Sequence, residues 1–426
     1  MFEAEVTIDG LGAAGDGIAE LEGIRLFVPG TLPGERWRVR LGPKTHGGRR
    51  AEPLVRLGGP PRAAPICPLF GRCGGCRLQH LPRELYHRFK VERITGALAH
   101  RRLMAERLDP PAPSPPASRR RLRLAWERRD GRVRLGFREA RSRAVVAAVA
   151  CPVARPELSR LFAPLAELLA GLACAGTRGE ALLTLVEGGV DLLLDCRSEP
   201  DLAEREALAA FAEARDLARL SLRRPGAPAV EPLIVRRPPE LLYGPFRIPF
   251  PAGAFLQATK EGETALQAFV AEALSPGMRL LDLYAGLGAL SLPFVERLAG
   301  LALFEASGEA VTAVKTAVRA RPGSPVLVAR RDLAKRPLAV EELAAFDLVL
   351  LDPPRMGARA QVERLAEAPP TRLVHVSCNP ASFARDAAIL AAGGWRLARL
   401  LPIDQFLHAS EIELAALFLR DGGDRA

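Results

Sequence analysis

Residues 280–291 read LLDLYAGLGALS, an apolar run that breaks into a Gly-rich turn, and this stretch decides the fold. Gly286 and Gly288 stand where a strand turns toward a helix, and the missing side chains let a ligand approach the backbone and the amino end of that helix. Glu305 follows Gly286 by nineteen residues and closes the next apolar run, where a carboxylate can accept hydrogen bonds from ribose hydroxyls. The pattern then recurs. GLALFEAS (300–307), FDLVLLDPP (346–354) and TRLVHVSCNP (371–380) are each an apolar strand ending in a polar or Gly-rich turn followed by helical patterning. From about residue 240 onward this is an α/β unit, a doubly wound and mainly parallel sheet with its chemistry expected at the carboxyl ends of the strands. The Gly pattern also fits a nicotinamide or flavin fold. Asp282 and Tyr284 ahead of the loop suit a positively charged adenosyl ligand better.

Three strand ends carry reactive groups: Glu305, Asp352 and Cys378. Asp352 is followed by two prolines and Arg355, a stiff corner that holds an acceptor toward the cleft. A lone Cys378 is ordinary packing; at the same sheet edge as two carboxylates it is a candidate nucleophile.

Upstream, CPLFGRCGGCRLQH (67–80) spaces Cys67, Cys73 and Cys76 as C-x5-C-x2-C. That spacing suits thiolates converging on one ion or cluster, and it calls for a fourth ligand. Seven cysteines in a chain of 426 residues argue for metal or nucleophile chemistry over a disulfide framework. The 60 Lys and Arg against 49 Asp and Glu leave a formal charge of +11, mostly arginine, which points to a polyanionic partner. The start, MFEAEVTIDG, has no leader-like apolar stretch, and no apolar run reaches membrane-spanning length, so a soluble, cytoplasmic protein without membrane contact is expected. Residues 1–58 alternate apolar and polar with Gly and Pro punctuation, the pattern of a small β-barrel. DPPAPSPPAS (109–118) reads as a linker or an ordered extended loop. Arg119 to Arg143 hold 11 arginines and three acidic residues, with Leu122, Leu124 and Trp126 alternating against Arg121 and Arg123. A two-stranded hairpin with a basic outer face follows, able to bind phosphate without reading bases.

CPLFGRCGGCRLQH, DLYAGLGALSLP, LLDPPR, SCNPASFARD and DQFLHASEIE together resemble the motifs of bacterial RNA uridine carbon-5 methyltransferases, particularly the 23S ribosomal RNA enzymes. DGLGAAGDGIA and FVPGTLPGE in the first 58 residues resemble the TRAM barrel of that family. The resemblance implies three domains: a TRAM/OB-like RNA-binding barrel (1–58), a central α+β iron-sulfur domain (59–240) and a Rossmann-like class I methyltransferase domain (241–426). The helix near 79–100 is a candidate to pack on the last of these.

The resemblance also implies that Cys67, Cys73, Cys76 and Cys151 hold a 4Fe-4S cluster, with Cys174 and Cys196 left as ordinary residues. Without it, zinc and iron-sulfur stand level. Gln257, Tyr284, Glu305 and Asp352 fall on the family's S-adenosylmethionine positions. Cys378 falls on the nucleophile that adds to carbon 6 of uracil, and Glu413 on the base that removes the carbon 5 proton. Ala289 and Thr259 stand where the family often has Asn, and Glu411 where it often has His. The implied partner is RNA, 23S ribosomal RNA ahead of the transfer RNA T-loop, acted on by a monomer. An iron-sulfur NAD or flavin oxidoreductase and a non-catalytic RNA-binding protein are the competing readings.

Overall fold

The amino-terminal alternation folds into a six-stranded sheet between Glu3 and Gly58. Val6, Ala19, Leu26, Val28, Val39 and Ala51, from the inward sides of their strands, close over its core together with Ile8 just past the first strand. The computed structural model describes residues 2–224 and 230–420.

The middle of the chain forms a second, seven-stranded sheet with helices Phe162–Gly171 and Leu202–Ala214 against it. Strands Arg121–Arg129 and Arg132–Arg138 make the expected hairpin, joined at Asp130 and Gly131, both at positive φ (51° and 72°). Two successive left-handed residues are what a tight hairpin turn requires, and Asp-Gly supplies them cheaply. Leu122, Leu124 and Trp126 point into the core.

The basic strip is a departure from expectation. Arg120 is buried, ion-paired with Glu263 at 2.5 Å, and donates to the Gln257 carbonyl at 3.1 Å. Arg121 donates to the Gly253 carbonyl at 3.2 Å, and Arg123 pairs with Glu180 at 2.9 Å. Alternation along a strand gives a side chain's face but not the element that covers that face. Here the segment 253–263 covers Arg120 and Arg121, which tie the central sheet to the last domain, while Arg123, Arg129, Arg132, Arg134, Arg138, Arg141 and Arg143 stay exposed.

The third sheet has nine strands. Val326–Arg330, Gly300–Glu305, Arg279–Leu283, Leu348–Leu351 and Arg372–Ser377 lie side by side in parallel, followed by Glu413–Leu419 and Arg396–Asp404 running antiparallel to their neighbours. Leu280, Leu281, Leu348, Val349, Leu350, Leu351, Leu373 and Val374 are fully buried, as strands covered by helices on both faces must be. Part of the Pro-rich stretch expected to link domains belongs to this sheet: Ala112–Pro113 pairs with Ile403 and Asp404 at its edge, where proline costs no ladder bond.

Helix Arg83–Ala99 precedes that stretch and packs on helix Pro380–Ala392 and strand Arg396–Asp404, so it belongs structurally with the last domain. Tyr86, Phe89, Lys90, Ile94 and Leu98 share its buried face at helical spacing. Lys90 is the anomaly among them, only 1 % exposed, and its ammonium meets Asp404 at 2.8 Å.

Candidate active site

Cys378 follows strand Arg372–Ser377 and directly precedes the Asn379 cap of helix Pro380–Ala392. Asn379 accepts the Ala381 N–H at 3.2 Å and donates its amide to the Arg355 carbonyl at 2.9 Å, and Ser382 donates to the same carbonyl at 3.1 Å. The Asp352–Arg355 corner and the Cys378 turn are thereby locked together. A thiol at a helix amino end gains from the helix dipole once ionised. Burial nonetheless pushes Cys378 up to about 11, and the Glu413 carboxyl adds to this while the Arg355 guanidinium opposes it.

Glu413 opens the strand that pairs with Arg372–Ser377 and is buried. Burial raises it well above the usual carboxylate range, and the Asp352 charge raises it further. Asp352 is itself pushed up to about 7 by burial. Cys378, Glu413 and Asp352 thus form one coupled set in which ionising any member disfavours the others.

Gln405 organises this set, and sequence reasoning missed it. Its side-chain amide donates to Glu413 Oε2 and to Gln257 Oε1, both at 2.8 Å, and its carbonyl accepts the Ala258 N–H at 3.1 Å. The segment carrying it is held from helix Arg83–Ala99: Tyr86 donates to Asp404 and accepts the His408 N–H at 3.0 Å, while Lys90 donates to the Phe406 carbonyl at 3.1 Å and to that of Glu411. One visible signal was a charged Lys90 on an otherwise apolar helical face.

At the neighbouring strand ends, Glu305 accepts the backbone N–H of Gly286 at 2.9 Å and of Ser307 at 2.7 Å, so the carboxylate is pinned beside the Gly loop. Gly286 (φ 55°) faces open space, with no atom within 4 Å of where a Cβ would sit. Tyr284, at φ 61°, holds a left-handed conformation costly for a side chain of its size, which turns the chain out of the sheet above the loop. Asp282 beneath is buried, accepts from Ser291, and is pushed up to about 8, chiefly by burial. Thr259, which stands where the resembled family often has Asn, caps helix Lys260–Ala273 through the Gly262 N–H at 3.0 Å.

The four cysteines come together with Cys378 on a shared cleft of about 500 Å³, whose wall includes Cys67, Cys73, Cys76 and Cys151. Among the described residues no three His, Cys, Asp or Glu are gathered as a single-ion site. The surroundings do suit thiolates: the Gly75 N–H lies 3.4 Å from Cys73 Sγ, and backbone N–H groups of Val153 and Ala154 favour the ionised form of Cys151. Burial raises Cys73 and Cys151 and pushes Cys76 up to about 11, and their mutual charges add to this. Cys73, Cys76 and Cys151 are thus unfavourable as bare anions and would be stabilised by a cation that shares their charge. Cys174 and Cys196 are buried apart from them, in the core of the central domain.

Residues 3–41 match the TRAM domain family. An uncharacterized RNA methyltransferase of Brucella suis is 37% identical over 418 residues, covering 98% of this chain and 98% of the relative. The chain belongs to the RNA methyltransferases. A 23S rRNA (uracil(1939)-C(5))-methyltransferase RlmD of Yersinia enterocolitica is 33% identical, covering 98% of this chain and 95% of that one. Among solved structures, the Pyrococcus abyssi tRNA (uracil-54, C5)-methyltransferase, in complex with S-adenosyl-L-homocysteine, has the same fold, with a TM-score of 0.76 at 22% identity over 98% of this chain and 100% of that one. For an RNA methyltransferase the oxidoreductase reading of the Gly loop falls away. Among the described residues no helix is long and apolar enough to cross a membrane.

Proposed function

We propose that this RNA methyltransferase transfers a methyl group from S-adenosylmethionine to carbon 5 of a uridine in 23S ribosomal RNA. The observation that carries the reading is the coupled set of Cys378, Glu413 and Asp352 at adjacent strand ends. Carbon 5 of uracil is a poor nucleophile. Addition of the Cys378 thiolate at carbon 6 makes the ring an enolate, whose carbon 5 can attack an electrophilic methyl group.

The coupling orders the steps. While Cys378 is a thiolate, its charge disfavours a carboxylate at Glu413; addition moves that charge onto the enolate, methyl transfer from the sulfonium neutralises it, and Glu413, having passed its own proton to solvent, is then the carboxylate that takes the carbon 5 proton. Loss of that proton expels the thiolate. Gln405 and Asp352 hold the geometry, and a target base entering so enclosed a site must leave its stack.

S-adenosylmethionine, when bound, supplies a methyl group on a sulfonium sulfur. Gln257, Tyr284, Glu305 and Asp352 would hold it, the open space over Gly286 leaving room for its adenosyl portion. The donor set of Cys67, Cys73, Cys76 and Cys151 fits a 4Fe-4S cluster, for which a structural role is proposed. Support for the target comes from the 33% identity to the Yersinia enzyme. The test is to map 5-methyluridine in ribosomal and transfer RNA from cells with and without the protein. Loss of one such residue from 23S RNA is expected. Loss confined to transfer RNA would move the target, and no loss would overturn the reading.

A further inference from the structure

We propose that Arg93, Arg119 and Arg355 form a binding site for a phosphate of the RNA backbone next to the target uridine, and that the Glu411 carboxylate holds this site in the RNA-free protein. The proposal rests on the function inferred above and names how its substrate is gripped.

The three arginines come from separate parts of the chain: helix Arg83–Ala99, the segment leading into strand Arg121–Arg129, and the corner after strand Leu348–Leu351. Arg119, Arg355 and Glu411 line the same cleft as Cys378. Elsewhere Arg120 pairs with Glu263 at 2.5 Å and Arg219 with Asp191 at 2.7 Å, both against buried carboxylates. These three are not satisfied in that way. Arg355 Nη2 is 4.0 Å from Glu411 Oε1, a loose contact, and Arg93 leaves its buried Nε without a hydrogen-bond partner. Arg119 donates from Nε to the Arg121 carbonyl at 3.1 Å. Burial disfavours the charge of Arg93 and of Arg119, and in both cases Glu411 is among the groups that offset it.

This wall keeps unused donors: Arg355 meets its carboxylate only loosely, and Arg93 has a buried Nε with no partner. An oxyanion with several acceptor oxygens satisfies such forks better than a carboxylate at 4.0 Å does, because planar guanidinium groups bind phosphate bidentately. Glu411 is also built to yield. Its backbone carbonyl is anchored by Lys90, while its side chain is 40% exposed and, besides the 4.0 Å contact to Arg355, accepts only from Ser410, at 3.5 Å, among the described residues. A phosphate arriving at the arginines can displace the carboxylate into solvent without moving the chain. Adjacency to Cys378 assigns the phosphate to the flipped nucleotide or its neighbour, which lets the backbone be held while the base turns inward.

The test is the salt dependence of binding to a single-stranded RNA oligonucleotide carrying the mapped uridine, with methyl transfer to the same oligonucleotide measured in parallel. Arg93→Gln should weaken binding and reduce the slope of log affinity against log salt by about 0.7, the value for one phosphate contact on a single strand. Arg93→Lys should restore most of that slope. Glu411→Gln, which removes the competing charge from a half-exposed position and leaves the fold alone, should tighten binding several-fold. Wild-type protein that binds and methylates the RNA, with an unchanged slope in Arg93→Gln and no tightening in Glu411→Gln, would overturn the phosphate site alone. Wild-type protein that neither binds nor methylates it would take down the functional reading and this site with it.

Discussion

Replacing Gln405 with methionine keeps the side chain's length and removes every polar contact it makes. The Ala258 N–H, Gln257 Oε1 and Glu413 Oε2 would lose partners now at 3.1, 2.8 and 2.8 Å, all within a buried site. At about 1 kcal/mol net for each bond, the variant should lose about 3 kcal/mol of stability, and more if the abandoned groups stay dry. The catalytic effect should be separable from this loss. The Gln405 bond is the one influence that lowers Glu413 against burial and Asp352. Without it the carboxyl rises further, and the fraction able to accept a proton at neutral pH falls. Methyl transfer to carbon 5 should therefore survive while release of the RNA slows, roughly 100-fold if the carboxylate also shifts by an ångström. Raising the pH should recover release, because a base whose pKa has risen is refilled at higher pH. The assay is single-turnover: rapid quench at several pH values, following methylated RNA still bonded to protein against methylated RNA set free. If release by Gln405→Met matches the parent at neutral pH and the two pH profiles superimpose, Gln405 does not position the base.

Other outcomes follow from the same geometry. Lys90→Met leaves Asp404 buried without its cation and should cost about 3–5 kcal/mol of stability, measured by chemical denaturation, with Asp404→Leu in the same chain recovering part of it; an unchanged midpoint would refute the buried pair. Because burial and Glu413 push Cys378 up to about 11, its thiolate is scarce at neutral pH, and alkylation by iodoacetamide should climb about tenfold per pH unit toward pH 10. Peptide mass spectrometry would resolve that site, and a plateau below pH 9 would contradict it. Anaerobically purified protein should carry about four irons and four sulfides, lost when Cys76 or Cys151 is replaced by serine. Stoichiometric zinc without iron would return the site to its other reading.

Much of the last domain was legible because a parallel sheet buried on both faces leaves an unmistakable trace: apolar runs such as LLDL and LVLL that stop abruptly at polar residues. Those stops are where Glu305, Asp352 and Cys378 lie. What stayed hidden depends on contacts between distant segments. Tyr86 reaches Asp404 across 318 residues of sequence, and nothing local to either predicts the other. The same holds for Arg120, which reads as part of a basic strip until the Glu263 carboxylate is found beside it. Gln405 lay inside a stretch already singled out. Its role emerges only when the Gln257 segment folds onto that stretch and gives one amide three partners. The four cysteines were recognisable by spacing for three, and for Cys151 by family resemblance alone.

The central claim, that Cys378 makes a covalent bond to the uracil and Glu413 releases it, is tested most directly by trapping. Glu413→Gln protein is incubated with the target RNA and S-adenosylmethionine labelled in its methyl group, then run on a denaturing gel beside Glu411→Gln and Cys378→Ala. The account predicts a labelled protein–RNA adduct with Glu413→Gln, free methylated RNA with Glu411→Gln, and neither adduct nor methylation with Cys378→Ala. Adduct accumulating with Glu411→Gln instead would hand the base role to that residue, and methylation by Cys378→Ala would contradict the covalent mechanism itself.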